Sequence, residues 1–265
     1  MFVLSFKRLP VTFLSALALL VALLATPFAQ AQVMIPAAPQ LSATAWILID
    51  ANSGKVIAEH NADKRIPPAS LTKMMTSYLL EYELKQGNVS LEDMVRVSVK
   101  AWRMPGSRMF IREGTFVSIS DLLRGVIIQS GNDASVAVAE HLAGSEESFA
   151  DMMNQHARAL GMKNTQFRNA TGLPEKDHYS SARDLALLSK VKIQDYPDHY
   201  AIYSEREFTY NNITQSNRNR LLWRDNSVDG LKTGHTDDAG YCLAASAIRD
   251  DMRLISVVMG ARSEE

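Results

Sequence analysis

The stretch PPASLTKMMT, Pro67 to Thr76, places a serine directly after two prolines and an alanine, and a lysine one helical turn later. A serine in this position is commonly a helix N-cap, because its hydroxyl accepts a hydrogen bond from an unpaired backbone N–H of the first turn. The alternative is a nucleophile at Ser70, activated by Lys73 three residues on and on the same helix face. Four residues are too few to decide between the two.

Two further short motifs favour the second interpretation. Ser130-Gly131-Asn132 (SGN) falls where one helical pattern ends and another begins, and Lys232-Thr233-Gly234 (KTG) is predicted to open a strand. Each is weak alone, but S-x-x-K followed by these two in this order is typical of penicillin-recognising serine enzymes. A second S-x-x-K, Ser189 to Lys192, has no such company and is interpreted as chance.

Hydrophobic periodicity predicts strands at both ends of the chain and helices between them. ATAWILID and KVIAEHN flank the turn NSG and predict a hairpin, and DGLKTGHT, GYCLAASAI and MRLISVVMG predict three more strands. The helical segments are ASLTKMMTSYLLEYELKQG, SISDLLRGVIIQ, DASVAVAEHLAG, SFADMMNQHARALG and SSARDLALLSKV. We therefore predict an α/β fold, with one antiparallel five-stranded sheet from residues 44–62 and 230–260 and a helical lobe inserted at about 66–200. A cleft between sheet and lobe is the expected place for a site.

The amino terminus predicts export. Lys7 and Arg8 precede an uncharged apolar run from Val11 to Ala25, and small residues then form an A-x-A cleavage pattern ending at position 31. We predict a signal peptide at 1–31 and an extended lead-in at 32–43, with an uncleaved anchor as the alternative. Either way the folded part is expected in the periplasm or on the outer face of the cytoplasmic membrane.

Composition limits the function classes. The chain has 265 residues, 46% of them hydrophobic, which is enough for a substantial core, and its net charge of -1 does not suit a nucleic-acid or anionic-membrane binder. Cys242 is the only cysteine, so no internal disulfide can form. It lies in an apolar strand pattern, which predicts a buried, inert thiol rather than a catalytic one.

The motifs SLTK, SGND and KTGHT, with the lead-ins PPASLTKMMT and LLRGVIIQSGNDAS and the follow-on KTGHTDDAGYCLAASA, resemble those of low-molecular-mass penicillin-binding proteins, the D-alanyl-D-alanine carboxypeptidases. The likeness runs from about Ala43 to the end. It implies a penicillin-recognising serine transpeptidase/β-lactamase-like fold in a domain at 44–265. It also implies a serine enzyme that removes the terminal D-alanine from peptidoglycan stem peptides through an acyl-serine intermediate, without metal or cofactor, and that β-lactams inhibit.

Members of this family usually continue into a closing helix, a small β-rich domain and an amphipathic membrane-binding tail. The sequence stops at ARSEE, so we expect the C-terminal domain to be lacking, and membrane attachment stays open.

The chemistry assigns a part to each motif. The N–H of Ser70, at a helix start, would form half of an oxyanion hole. Lys73 would be the base, kept neutral by burial and by a second cation, Lys232. Ser130 would relay a proton to the leaving group, and Asn132 would hold the substrate peptide.

The KTGHT strand is expected to bind the substrate. An extended acyl-D-alanyl-D-alanine end can pair with a strand edge. Lys232 and Thr233 suit its terminal carboxylate, and Gly234 allows close approach. By analogy with the family, the N–H of His235 completes the oxyanion hole; its imidazole is either a surface group or a contact. Arg218 is either a further carboxylate contact or a solvated side chain.

Three other functions stay open: a D,D-endopeptidase of the same fold, a β-lactamase and a non-catalytic penicillin-binding sensor. A β-lactamase of the related group needs a glutamate in an E-x-x-x-N setting to activate water. Glu175 is followed four residues later by Tyr179, so it is interpreted as a solvated loop charge. No H-x-x-x-H zinc pattern and no glycine-rich nucleotide motif occurs.

Overall fold

A five-stranded antiparallel sheet joins the two ends of the chain. The structure, a computed structural model, describes residue 2 and residues 37–263, so the rest of the predicted signal peptide and the first five residues of the predicted lead-in, 32–36, lie outside the described residues. The strand order is β2-β1-β9-β8-β7. The strands are β1 (Ala45–Asp50), β2 (Val56–His60), β7 (Val228–Thr236), β8 (Gly240–Arg249) and β9 (Met252–Ala261). The predicted sheet is confirmed.

The sheet holds together because alternate residues of its strands face the core. Ile47 and Ile49 of β1 and Ile255 and Val257 of β9 are buried, whereas the residues between them in β9 are only partly buried. Pairing of β1 with β9, from Ala45 opposite Met259 to Asp50 opposite Leu254, closes the amino-terminal hairpin onto the carboxyl-terminal strands. The residues between must therefore leave and re-enter the same sheet.

The inserted segment supplies the helices that were predicted. A 3₁₀ turn (Ala69–Thr72) leads directly into the central helix, whose first nine residues are all buried. Gly87, Gly144 and Gly161 end three of the helices in the left-handed conformation, as helix-terminating glycines do. The long helices are α1 (Lys73–Gln86), α3 (Ile119–Ile127), α4 (Asn132–Ala143), α5 (Glu146–Leu160) and α6 (Ala182–Asp195).

Several short elements escaped prediction, because three- and four-residue segments carry too little periodicity. The insertion was predicted to end at about residue 200, and the short elements after that residue extend it to residue 227. The short elements are β3 (Met94–Arg96), α2 (Val99–Trp102), β4 (Phe116–Ser118), α7 (Pro197–Tyr200), a 3₁₀ turn (Ala201–Ser204), β5 (Glu207–Tyr210), β6 (Ile213–Ser216) and α8 (Leu221–Arg224).

The prediction that the KTG motif opens its strand is wrong. β7 begins at Val228, which already pairs with Ala247, so Lys232 to Gly234 lie in the middle of the strand. In the sheet order β7 stands at one end, with β8 as its only neighbour. The motif therefore lies along a sheet edge.

The second S-x-x-K motif, Ser189 to Lys192, has a structural role. The hydroxyl of Ser189 donates to Leu185 O of its own helix at 2.7 Å, while Lys192 Nζ contacts Glu81 Oε2 at 2.5 Å and Ser77 Oγ at 3.0 Å. Both partners of this ion pair are almost fully buried, and burial raises the pKa of Glu81 and lowers that of Lys192. Lys192 thus holds α6 against α1 at Ser77 and Glu81, which follow Ser70 along the central helix.

Removing one partner of this pair should be far more harmful than removing both. Lys192→Ala leaves a buried carboxylate without its cation, and we expect the free energy of unfolding to fall by about 3–5 kcal/mol. The double variant Lys192→Met, Glu81→Leu replaces both charges with apolar groups and should lose clearly less. Urea unfolding measures both, with exposed Lys176→Ala as the control; equal losses in the single and double variants would contradict the ion-pair interpretation.

Candidate active site

Ser70 lies inside the 3₁₀ turn, which overturns the N-cap interpretation. The residues at the cap positions of the turn and of α1 are Pro68 and Thr72, and neither makes a side-chain cap hydrogen bond. Strand β7 passes directly beside the serine: a Cβ added to Gly234 would lie 2.9 Å from Ser70 N and 3.2 Å from Leu71 N. A side chain at position 234 would therefore press against the amide that is predicted to bind an oxyanion.

Lys73 Nζ has three oxygen neighbours, and their chemistry sets its role. It lies 2.7 Å from Asn132 Oδ1, 2.6 Å from Thr171 O and 3.1 Å from Ser70 Oγ. The first two are carbonyl oxygens, which only accept hydrogen bonds. A neutral amine has two N–H groups to donate, so both go to these carbonyls and its lone pair faces the serine hydroxyl. The arrangement can accept the proton of Ser70.

Electrostatics favour this neutral form. Burial lowers the pKa of Lys73 well below its ordinary value, the positive charge of Lys232 lowers it further, and the carboxylate of Asp133 opposes the change. Burial also lowers the pKa of Lys232 to about 7, with a contribution from the charge of Arg218. Burial and the charge of Lys232 thus both disfavour a proton on Lys73, the predicted base.

Ser130 is strained and its hydroxyl is unpaired. The residue adopts a left-handed φ of 61°, which is unusual for serine, at the break between α3 and α4. Its Oγ is buried and has no hydrogen-bond partner among the described residues. A buried polar atom without a partner is costly, so this hydroxyl suits a ligand that completes it.

Asn132, predicted to hold the substrate, is used within the protein. Its Oδ1 accepts from Lys73, and its Nδ2 donates to Pro105 O at 2.6 Å. Gly106 is close by, since a Cβ there would lie 2.9 Å from Nδ2. Asn132 therefore positions Lys73 and the loop before β4, and a contact with substrate through its remaining N–H stays a prediction.

The other predicted binding residues lie on or beside β7. Lys232 is buried, and its Nζ donates to Thr233 O at 3.1 Å; Thr233 is half-buried. The His235 imidazole is exposed and packs on the Tyr241 ring with 4.2 Å between centroids. Arg218 is also exposed, close enough to influence Lys232. Binding of substrate by these side chains stays a prediction.

Sequence reasoning missed Asp133, which organises one wall of the site. Its buried carboxylate accepts the N–H groups of Met109, Phe110 and Ile111 at 3.0, 2.9 and 3.2 Å. Phe110 is held at a left-handed φ of 69° within this turn. An aspartate directly after SGN is visible in the sequence, but its partners lie more than twenty residues earlier.

Sequence reasoning also missed the segment that supplies the Thr171 carbonyl. Asn169 Oδ1 accepts from the N–H groups of Thr171 and Gly172 at 3.2 and 2.7 Å and so closes the turn on itself. Gly172 has a φ of 82°, and a Cβ there would lie 1.8 Å from Ala69 O. Only glycine fits between this turn and the residue before Ser70.

His178 anchors the same segment to the serine motif. Its Nδ1 accepts from Arg168 N at 3.0 Å, so the ring proton of the neutral form sits on Nε2 and donates to Thr72 Oγ1 at 2.8 Å. Burial lowers the pKa of His178 to about 4, and the charge of Arg168 adds to the effect. Neutral His178 thus links Thr72, which lies between Ser70 and Lys73 in the sequence, to the segment that contains Arg168.

Glu175 and Cys242 lie as predicted. Glu175 is exposed, and Cys242 is buried with a free thiol whose pKa burial raises. Within residues 37–263, no helix combines the length and apolar character needed to cross a bilayer. Nor do three His, Cys, Asp or Glu side chains of the described chain gather as metal ligands would.

Comparisons with known proteins agree on one family. A family model described as D-alanyl-D-alanine carboxypeptidase (Peptidase_S11) matches residues 32–263. The D-alanyl-D-alanine carboxypeptidase DacC of Escherichia coli (strain K12) is 54% identical over 234 residues, which are 86% of this chain and 58% of the relative. The chain thus spans less than two thirds of that relative's length.

Solved structures share the fold. Penicillin binding protein 5 from Haemophilus influenzae is 49% identical with a TM-score of 0.84, covering 86% of this chain and 68% of that one. Penicillin-Binding Protein D2 from Listeria monocytogenes, solved in an ampicillin-bound form, is 32% identical with a TM-score of 0.78, covering 86% and 93%.

The neutrality of His178 should appear in the pH dependence of stability. Its folded-state pKa of about 4 is below the ordinary 6.5, so between these values the unfolded chain binds a proton that the folded chain does not. This contribution is fully present above pH 6.5 and is lost as the pH falls towards 4, by about 3 kcal/mol in total.

The measurement is urea unfolding at pH 7.0 and 4.5 for the unaltered chain and for His178→Gln, which retains a donor and an acceptor but does not titrate. The Gln variant should lose less stability on acidification. An exposed-site control, His60→Gln, should behave as the unaltered chain does. If His178→Gln shows the full acid loss, another group is responsible.

Proposed function

The chain belongs to the D-alanyl-D-alanine carboxypeptidase family, and on that premise we propose that it is a serine-type carboxypeptidase. It removes the terminal D-alanine from peptidoglycan stem peptides through an acyl-serine intermediate, and β-lactams acylate the same serine. The observation that carries the proposal is the environment of Lys73 Nζ, with two acceptor-only oxygens and Ser70 Oγ at 3.1 Å. The protein acts outside the cytoplasm, in the periplasm or at the outer face of the cytoplasmic membrane.

Acylation begins with proton transfer from Ser70 to neutral Lys73. The serine oxygen then attacks the carbonyl of the penultimate D-alanine, and the negative charge that develops is stabilised by the backbone N–H of Ser70 and by that of His235. Support comes from the tight approach of Gly234 to Ser70 N, which keeps this amide beside the edge strand. Lys73 can lower the activation free energy of attack by Ser70 only if it is unprotonated near neutral pH, and its burial favours that form.

Departure of D-alanine needs a proton on its nitrogen. Ser130 donates its hydroxyl proton and regains one from Lys73, which had received it from Ser70; its unpaired Oγ supports this part. The terminal carboxylate binds to Lys232 and Thr233, and the charge of Arg218 adds positive potential there. Water then cleaves the acyl-serine with the same Lys73 and Ser130.

The alternatives have less support. A β-lactamase needs a base for the deacylating water, and Glu175 is an exposed loop residue. The SGND motif resembles the carboxypeptidases more than the endopeptidases of the same fold. The intact set of Ser70, Lys73, Ser130 and Lys232 favours a catalytic protein over a non-catalytic sensor. The ampicillin-bound relative supports β-lactam binding.

Lys73→Arg tests the base. A guanidinium keeps the positive charge but cannot become neutral in a protein, so it cannot accept the serine proton. Acylation by a fluorescent penicillin should fall by about two to four orders of magnitude, as far as it falls in Lys73→Ala. Circular dichroism and thermal unfolding establish that each variant is folded. Rapid acylation of a folded Lys73→Arg protein would place the base elsewhere.

The lifetime of the penicillin adduct separates the proposal from its rivals. Without a dedicated water base, the penicilloyl group on Ser70 should persist for minutes or longer, while a peptide ending in D-alanyl-D-alanine is turned over. Intact-mass spectra over time and D-alanine release measure the two, and Ser70→Ala should show neither. Loss of the adduct within seconds with steady penicillin hydrolysis would indicate a β-lactamase, and labelling without any D-alanine release a sensor.

A further inference from the structure

A pocket of about 240 Å³ lies between the segment 102–112 and the turn of the β5–β6 hairpin. Its lining combines large apolar side chains with two guanidinium groups and an amide. The apolar groups come from Trp102, Phe110 and Ile213, and the polar groups from Arg108, Arg112 and Asn211. None of these residues takes part in the proposed reaction, so the pocket needs a separate explanation.

Hydrogen bonds hold both walls of the pocket in place. The carboxylate of Asp133 accepts the N–H groups of residues 109–111, and Phe110 keeps its left-handed φ of 69° within that turn. Gln215 Nε2 donates to Arg108 O at 3.2 Å and so ties the hairpin to the same segment. A strained turn that hydrogen bonds fix thus leaves Phe110 42% exposed. Large apolar side chains that are held at the surface in this way indicate a binding site.

Positive charge is concentrated beside these apolar groups. Residues 96–112 contain four arginines and one lysine, and the first acidic residue after them is Glu113, although the whole chain has a net charge of -1. The Arg108 guanidinium lies 5.5 Å from the Phe110 ring centroid. Neither this guanidinium nor that of Arg112 has an ion pair or a side-chain hydrogen bond with any residue that the structure describes. Such groups suit a carboxylate, which a guanidinium binds through two parallel hydrogen bonds.

The pocket lies beyond the part of the site that is proposed to bind the terminal carboxylate. Strand β6 begins at Ile213 in the pocket, and the chain then reaches Arg218, whose charge acts on Lys232. Five residues span at most about 17 Å. A stem peptide whose terminal carboxylate is held at Lys232 ends there and does not extend into the pocket. The occupant therefore comes from a different molecule or from a different stem peptide of the same polymer.

Shape and chemistry favour a peptide end over a membrane surface. A concave pocket encloses a side chain or a short chain segment, whereas a bilayer presents a broad surface. A stem peptide that ends in D-alanine carries a carboxylate and a methyl group on the same carbon atom. This combination matches two guanidinium groups beside exposed aromatic rings. Peptidoglycan also presents many such ends close to the one that is being cleaved.

We propose that this pocket binds the carboxyl end of a second, non-reacting stem peptide of peptidoglycan. The carboxylate pairs with Arg108 and Arg112, and the alanyl methyl group lies against Trp102 and Phe110. The inference rests on the proposed carboxypeptidase function. A second contact to the same polymer lengthens the time that the enzyme stays on it, because one contact persists while the other opens and closes.

A polymeric and a small substrate together test the inference. Arg108→Gln with Arg112→Gln should lower D-alanine release from isolated peptidoglycan, at concentrations well below saturation, by about three- to tenfold. The same variant should change kcat/KM for a soluble acyl-D-alanyl-D-alanine peptide by less than about twofold, since that peptide occupies only the site at Ser70. Arg158→Gln with Lys163→Gln, at exposed positions in and after the last turn of α5, removes the same charge and is the matched control.

Binding to the polymer separates this inference from the proposed activity. Ser70→Ala protein should sediment with isolated peptidoglycan, and the two arginine changes should weaken this binding by a similar factor at low salt and by less at high salt. Trp102→Ala should also weaken it, but without altering its salt dependence. Arginine-dependent sedimentation without D-alanine release from any substrate would support the pocket and overturn the activity.

Three results would overturn the inference. An equal loss in the control variant would mean that overall charge, and not the pocket, binds the polymer. An equal loss with the soluble peptide would place the arginines in the reaction site itself. Unchanged binding to peptidoglycan, with arginine-dependent binding to phosphatidylglycerol vesicles, would identify a membrane surface as the partner.

Discussion

The environment of one amine, Lys73 Nζ, is the constraint on which the rest of the site depends. As a base it needs two carbonyl acceptors and a serine hydroxyl within reach, and it must be excluded from water. The three oxygen atoms come from three different parts of the chain. Asn132 opens α4, Thr171 lies in a turn between α5 and α6, and Ser70 precedes α1. Because an unpaired buried amine is costly, small displacements of any of these parts are opposed by the others.

Buried polar groups continue along the central helix and tie it to its neighbours. Thr72 contacts His178, Thr76 Oγ1 donates to Ala170 O at 2.7 Å, and Glu81 pairs with Lys192. Helix α1 is thus fixed by directional bonds as well as by apolar packing. Apolar contacts alone tolerate sliding and rotation more readily than hydrogen bonds do, so these bonds suit a helix whose first residues must stay within tenths of an ångström of their partners.

The sheet serves the site through its edge. Since β1, β2 and β7 to β9 form the sheet in the order β2-β1-β9-β8-β7, β7 has one side paired with β8 and one side that pairs with no strand of the sheet. Gly234 lets this strand touch the turn that carries Ser70.

The sequence by itself determined the five strands, the five long helices and the three motifs, because periodicity and short patterns are local properties. It also led to Ser70, Lys73, Ser130 and Lys232. It could not reveal that Asp133, Thr171 and His178 contribute to the site, because their partners lie far away in the sequence. The group that Thr171 contributes is a backbone carbonyl, which every residue has. Only the tertiary structure decided which oxygens surround Lys73, because that depends on how distant segments pack.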